Sequence, residues 1–314
     1  MKKNIKRYLL STLLVVLAVG VVDKTAGFVL DYLWHRIPVT QDMGKGQFAR
    51  NEVNTDLVII GSSRAAHHYD VNMISDSLSY SAYNLGLDGC FFLDNCCVMH
   101  ALIIRYSPQI IILEIADDAM YAEAENHMEM LYNYYWSDVY VRDIVNHEEG
   151  WQTGLKLMSS LYRHNANSFK TIGYGLKGLR FRKQNDPLSG YAPIAYKEKR
   201  KELELCEPDN SKMLTISEWK KTLLSDLLKE AFAKGIKIYV VTSPLFVAPN
   251  NINQKSKEAI DSICKDFGAS YWDYSSESLF LNHPQWFNDG AHLNEVGASV
   301  FTKMIISRIQ DRCK

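Results

Sequence analysis

Asp56-Leu-Val-Ile-Ile-Gly61-Ser62-Ser63-Arg64 is the stretch on which the reading of this chain turns. Four consecutive large apolar residues that do not alternate with polar ones read as a strand buried on both faces. That is the pattern of a parallel sheet covered by helices. The run stops at a glycine and two serines, residues suited to a turn and a helix start. Outward from it, similar short runs recur at Ala82–Leu85, Gln109–Ile115, Ile236–Thr242 and, more weakly, at Ala269–Tyr274.

Helical periodicity fills the intervals, at about Ala65–Leu78, Phe91–Arg105, Ser217–Lys234, Gln254–Phe267 and Asn294–Asp311. Strand and helix in alternation predict an α/β fold built on a parallel sheet. The alternation lapses after the third strand, over about residues 121–212, where an aromatic and then basic segment reads as a mainly helical insertion with helices near Glu148–Leu161 and before it. Residues 36–55 read as a polar linker, and 56–314 as the α/β domain carrying the insertion.

Residues 1–35 form the remaining segment. Lys2, Lys3, Lys6 and Arg7 precede an uncharged run from Tyr8 to Val22, and past Asp23 and Lys24 the chain turns apolar again. A basic flank before an apolar stretch of this length is either an uncleaved membrane anchor or a secretory signal. Ala18 and Gly20 are small enough for cleavage, but no Ala-x-Ala is present. Both readings keep the cationic end in the cytoplasm and send the body of the chain across the membrane.

The chemistry is read from two places. A serine between the end of a strand and the start of a helix faces backbone N–H groups without internal partners, which can receive a developing oxyanion. Far downstream, Asp289-Gly-Ala-His292 precedes the last helix. A carboxylate three residues before an imidazole can hold its tautomer, and His292 could then take a proton from a serine hydroxyl. Ser63 is the first candidate nucleophile, and Ser62 beside it is the alternative.

Together these residues resemble the SGNH/GDSL hydrolase superfamily. Gly61-Ser62-Ser63 stands where that family has Gly-Asp-Ser, which makes Ser63 the matching nucleophile. Gly86 matches its oxyanion-hole glycine, and Asp289 and His292 match its last block. The resemblance implies a flavodoxin-like three-layer α/β/α sandwich and serine esterase or O-acyltransferase chemistry. It is closest to membrane-anchored, extracytoplasmic members, among them polysaccharide O-acyl enzymes and the D-alanyl-lipoteichoic acid transfer protein. It thereby implies an acylated carbohydrate or cell-envelope polymer as partner. One position departs: Asp117 stands where the family has the asparagine that donates to the oxyanion. Asn165 and Arg64 are the candidate replacements, and a binding module without catalysis is the alternative reading.

Composition excludes other classes. With 35 basic and 36 acidic residues in 314, the chain has no global cationic footprint for nucleic acid. The six cysteines show no zinc-ligand spacing, so neither metal nor cofactor is expected; an oxidising compartment would permit disulfides among them, while Cys90, Cys96 and Cys97, in an apolar helical stretch, read as buried thiols. His67 and His68 are adjacent on a helix, face different directions and read as surface or packing residues. Gly173-Tyr-Gly175-Leu-Lys-Gly178 has dinucleotide-fingerprint spacing but no preceding strand, and reads as a loop. The aromatic cluster from Tyr132 to Tyr140 reads as packing, or as a wall on which sugar rings stack. Arg180, Arg182 and Lys183 read as a solvated face, or one that meets an anionic glycan or headgroup.

Overall fold

A computed structural model describes residues 2–124, 127–180, 186–197, 203–205, 214–248 and 253–312. Helix α1 (Lys2–Trp34) and helix α2 (Asp42–Asn51) come first, so half of the stretch read as a polar linker is helical. Then follow β1 (Leu57–Ile60), α3 (Ser63–His68), α4 (Val71–Leu78), β2 (Ala82–Asn84), α5 (Phe92–Arg105) and β3 (Ile110–Glu114). The inserted segment carries α6 (Val139–Glu149), α7 (Gln152–Lys156), α8 (Ser160–His164) and α9 (Ser168–Arg180). The alternation resumes with α10 (Glu218–Ala233), β4 (Lys237–Thr242), α11 (Gln254–Asp266), β5 (Ser270–Asp273), α12 (Ser278–Leu281) and α13 (Glu295–Arg312).

The chain divides into two compact units, residues 1–44 with 128–184, and residues 45–127 with 185–314. In the second, five parallel strands lie in the order β2-β1-β3-β4-β5. That is the flavodoxin-like order, whose switch point falls between β1 and β3. Successive residues of a strand point to opposite faces. Leu57, Ile59, Ile110 and Ile112 pack in one core with Tyr69, Ile74, Phe301 and Ile305 of the α3, α4 and α13 layer. Val58, Ile60, Ile111 and Leu113, on the opposite face, are equally buried, with α5, α10 and α11 packed together against that side. Burial on both faces is why these strands read as unbroken apolar runs. An antiparallel bridge, Tyr121 to Ile216, closes the base of the excursion between β3 and α10.

The helix expected at Ala65–Leu78 is two helices. Asp70 starts the second by accepting from the Asn72 and Met73 amides, so a cap outcompetes continued helix.

In the first unit, the Asn4–Trp34 part of α1 spans 31 residues and is long and apolar enough to cross a membrane. Its large apolar residues up to Val22 are exposed, whereas Leu30, Leu33 and Trp34 are buried against the inserted helices. The helices expected near Glu148–Leu161 and before it are α6, α7 and α8, with breaks at Gly150 and before Ser160, where Ser159 caps α8. The Gly173–Gly178 segment, read as a loop, lies inside α9. Those glycines serve helix packing: a Cβ on Gly175 would lie 2.6 Å from the Leu33 Cβ, and one on Gly178 would overlap the Arg36 carbonyl oxygen. Tyr134 packs edge-on against Trp34, and buried Tyr135 bonds to Asn146, so this part of the aromatic cluster is core. Arg182 and Lys183 lie outside the described residues, as do Cys206 and Cys313; Cys90, Cys96, Cys97 and Cys264 are buried free thiols.

Candidate active site

The site grows from the carboxyl ends of β1 and β3, where an open parallel sheet places its ligands. After β1 the chain turns at Gly61, and Ser62 and Ser63 begin α3. Ser63 Oγ lies 2.7 Å from His292 Nε2. His292 Nδ1 lies 2.9 Å from Asp289 Oδ1 and 3.1 Å from Oδ2. The Ala291 and His292 amides both donate to the same Asp289 oxygen at 2.9 Å, so one carboxylate folds the loop and orients the ring. Burial works against ionisation of Asp289, but the Ala291 amide and His292 outweigh it and hold its carboxyl below the usual range. The hydroxyl that meets His292 belongs to Ser63, not Ser62. The arrangement is a serine–histidine–aspartate triad. It can deprotonate a serine hydroxyl and return that proton to a leaving group.

Behind the triad runs a buried polar chain that the sequence reading did not contain. The Leu293 N–H donates to His68 Nε2 at 2.9 Å, which leaves Nδ1 as the protonated nitrogen. Nδ1–H then donates to Ser243 Oγ at 2.8 Å, and that hydroxyl donates to Glu114 Oε1 at 2.8 Å. Glu114 also accepts from the Tyr69 hydroxyl and from the Ser243 amide, and Arg64 Nε lies 3.4 Å from it. Burial, with the cationic charge of Arg64 and the neighbouring imidazoles, drives the His68 pKa well down, so the ring stays neutral. Burial pushes Glu114 up against the opposing pull of Arg64. His68 is therefore no surface residue. It ties the strand ends to the amide next to His292, and its partners are remote in sequence. His67 gives Nδ1–H to the Ala192 carbonyl and pairs with Asp88 at 3.2 Å, its ring edge-on to His292 with centroids 5.6 Å apart.

A cavity of about 310 Å³ opens at the triad, lined among others by Ser63, His292, Arg64, Asn95, Asp117 and Asp118. Asp117 accepts from the Asn253 side chain at 2.8 Å. Burial, reinforced by Asp117, holds the Asp118 carboxyl above its ordinary pKa.

Of the expected oxyanion donors, Gly86 is otherwise engaged. Its N–H donates to Asn84 Oδ1 at 2.9 Å, and it packs against the Ala65–Ala66 backbone, where a Cβ would overlap the Ala66 nitrogen. It does not line the cavity; its small size serves packing. Asn165 sits in the short turn between α8 and α9 of the other unit and is not among the lining residues. Arg64 lines the cavity but is turned to Glu114 and to the Ile115 carbonyl at 3.3 Å. Asn95, one turn into α5, was not anticipated. It lines the cavity, is only 7% exposed, and its side-chain amide has no hydrogen-bond partner among the described residues. An amide open to the cavity can donate to a ligand atom placed there. Its sequence signal was an amide inside an otherwise apolar helical stretch.

No family model matches this chain, and no curated protein does. Among solved structures it is similar to a lipase/acylhydrolase from Enterococcus faecalis, at 10% identity and a TM-score of 0.41, covering 82% of this chain and 95% of that one. A protein of Bacteroides fragilis described as an acylhydrolase gives 13% identity and a TM-score of 0.42, over 86% and 95% of the two chains. One from Slackia heliotrinireducens described as an SGNH hydrolase gives 9% and 0.40, over 80% and 96%.

Proposed function

We propose that this protein is a serine esterase or O-acyltransferase, with Ser63 as nucleophile, His292 as general base and acid, and Asp289 as the group that orients the imidazole. The observation that carries the reading is the 2.7 Å contact between Ser63 Oγ and His292 Nε2, backed by Asp289 at 2.9 Å. His292 takes the hydroxyl proton as Ser63 Oγ attacks an acyl carbonyl. The tetrahedral oxyanion is received by the Ser63 N–H, which the first helical turn leaves without an internal partner, and by the Asn95 side-chain amide. His292 then returns the proton to the departing alkoxide, leaving an acyl-serine. Water or a sugar hydroxyl, deprotonated by His292, attacks that ester and releases Ser63. Asn95 offsets the loss that Asp117 brings, since a carboxylate repels the oxyanion that an asparagine would stabilise.

The resemblance to membrane-anchored SGNH proteins and the cationic start of α1 support an enzyme held in the membrane with its site on the extracytoplasmic side. Its substrates would be acyl groups, acetyl among them, on cell-envelope or exported polysaccharide. The experiment is labelling of the full chain with a fluorophosphonate, with turnover of p-nitrophenyl acetate measured alongside. Labelling and turnover that vanish in Ser63→Ala and persist in Ser62→Ala are expected. Asp117 at the donor position favours a second reading, a binding module for an acyl-glycan. A folded wild-type chain that neither labels nor turns over would select it.

A further inference from the structure

In the unit formed by residues 1–44 and 128–184, apolar side chains are not confined to the interior. Along α1, the large apolar residues from Leu9 to Val22 are each more than half exposed. A helix rises about 1.5 Å per residue and a bilayer core is about 30 Å thick, so roughly 20 residues cross it. A span starting near Asn4 therefore ends close to Asp23.

The inserted helices meet α1 at this level. Asp23 accepts from the Ser159 hydroxyl at 2.5 Å and from the Ser160 and Leu161 amides at 2.9 and 3.1 Å, capping α8. Lys24 Nζ donates to the Met158 carbonyl at 2.6 Å. Helix α9 runs in the same direction as α1, because Gly175 meets Leu33 and Gly178 meets Arg36. Its first turn accordingly points back toward Asp23.

The inserted helices carry further large apolar side chains that face outward. Trp151 is 66% exposed, Leu155 and Met158 60%, and Phe169 89%, more than any other large apolar residue among those described. Apolar side chains this large and this exposed are what a lipid-facing surface carries. Here they share a unit with a helix whose own apolar surface is lipid-sized. Tryptophan is favoured where an apolar ring meets headgroups.

We propose that this rim, around Met158 and Phe169, is seated in the headgroup layer of the bilayer that α1 crosses. The helical unit then docks on the lipid surface through the rim, which adds apolar burial to that supplied by the span and restricts its tilt. The proposal rests on the reading of α1 as an uncleaved anchor, and the experiment separates the two.

Full-length chains carrying Val15→Cys, Met158→Cys, Phe169→Cys or Leu179→Cys are labelled with bimane and placed in phosphatidylcholine–phosphatidylglycerol nanodiscs. Phospholipids bearing a nitroxide at shallow or deep acyl positions act as quenchers, and the unsubstituted chain labelled in parallel sets the background. Leu179 is the control within the unit: it is 46% exposed and lies about 15 Å further along α9 from Phe169. The expected result is strong deep quenching at 15, and shallow quenching at 158 and 169 several-fold above that at 179. Quenching at 15 with 158 and 169 no different from 179 overturns the lipid seat and leaves the anchor standing. It would point to a protein partner on this face. No quenching at 15 removes the anchor itself, and the proposal with it.

Discussion

The sheet unit and the helical unit use apolar residues in opposite ways. In the sheet unit, Leu57 to Ile60 and Ile110 to Leu113 are buried on both faces, and the helices packed on them turn polar sides outward. In the helical unit, Phe169 and Met158 stand exposed, while close approach of α9 to α1 depends on glycines. Hydrophobicity marks the core in one unit and an outer surface in the other. An apolar period is thus a guide to the interior only where water is the sole solvent.

The largest effect that would sharpen this contrast lies in the sheet unit's cavity. Asn95→Ala is expected to lower kcat by about 10²–10³-fold with little change in KM, the loss typical of one oxyanion donor. Asn95→Asp, nearly isosteric but without the donor, should do the same while the circular dichroism spectrum is retained. A kcat within a few-fold of wild type would remove Asn95 from the mechanism.

A smaller effect is expected in the helical unit. Gly178→Leu forces a side chain onto the Arg36 carbonyl and should destabilise α1–α9 packing by about 1–3 kcal/mol. Limited proteolysis of the detergent-solubilised chain checks it: cleavage within 128–184 should quicken. Unchanged cleavage would mean that the glycine is not needed for the approach of the two helices.

A third effect, in the sheet unit, is a pH slope. Burial pushes the Asp94 carboxyl up to about 7 from its ordinary 3.8. Between those values the folded chain keeps a proton that the unfolded chain has released. Stability therefore falls as pH rises through that window, by about 1.4 kcal/mol per pH unit from this group, and the fall levels off above 7. Asp94→Asn should flatten the slope, measured by denaturant unfolding at a series of pH values from 4.5 to 7.5 (about the window set by the two pKa values). Parallel slopes in variant and wild type would contradict the assignment.

Much of the sheet unit was legible because local and global preferences coincide there. All five strands lie where the apolar runs put them, and so do the long helices α5, α10, α11 and α13 where helical periodicity put them. The serine and the Asp-x-x-His segment were legible because each sits at an element boundary. What was missed depends on neighbours far along the chain. Asn95 carries no motif of its own beside Asp94 in α5, and only the cavity beside Ser63 gives its amide a purpose. His68 read as a surface or packing residue, and its hydrogen-bonding role was hidden because its partners, Ser243 and Leu293, are 175 and 225 residues away. The α9 glycines looked like a loop because glycine disfavours helix unless another helix must come close.

Alone, the amino-acid order determined the strands, the helices between them, the apolar start and the residues able to form a triad, since each follows from short-range pattern and side-chain chemistry. Tertiary structure decided which serine meets His292, that Gly86 is used for packing, that Asn95 is left unpaired in the cavity, and which apolar residues stay outside. Those outcomes depend on distances between residues remote in sequence, and only the packed chain sets them.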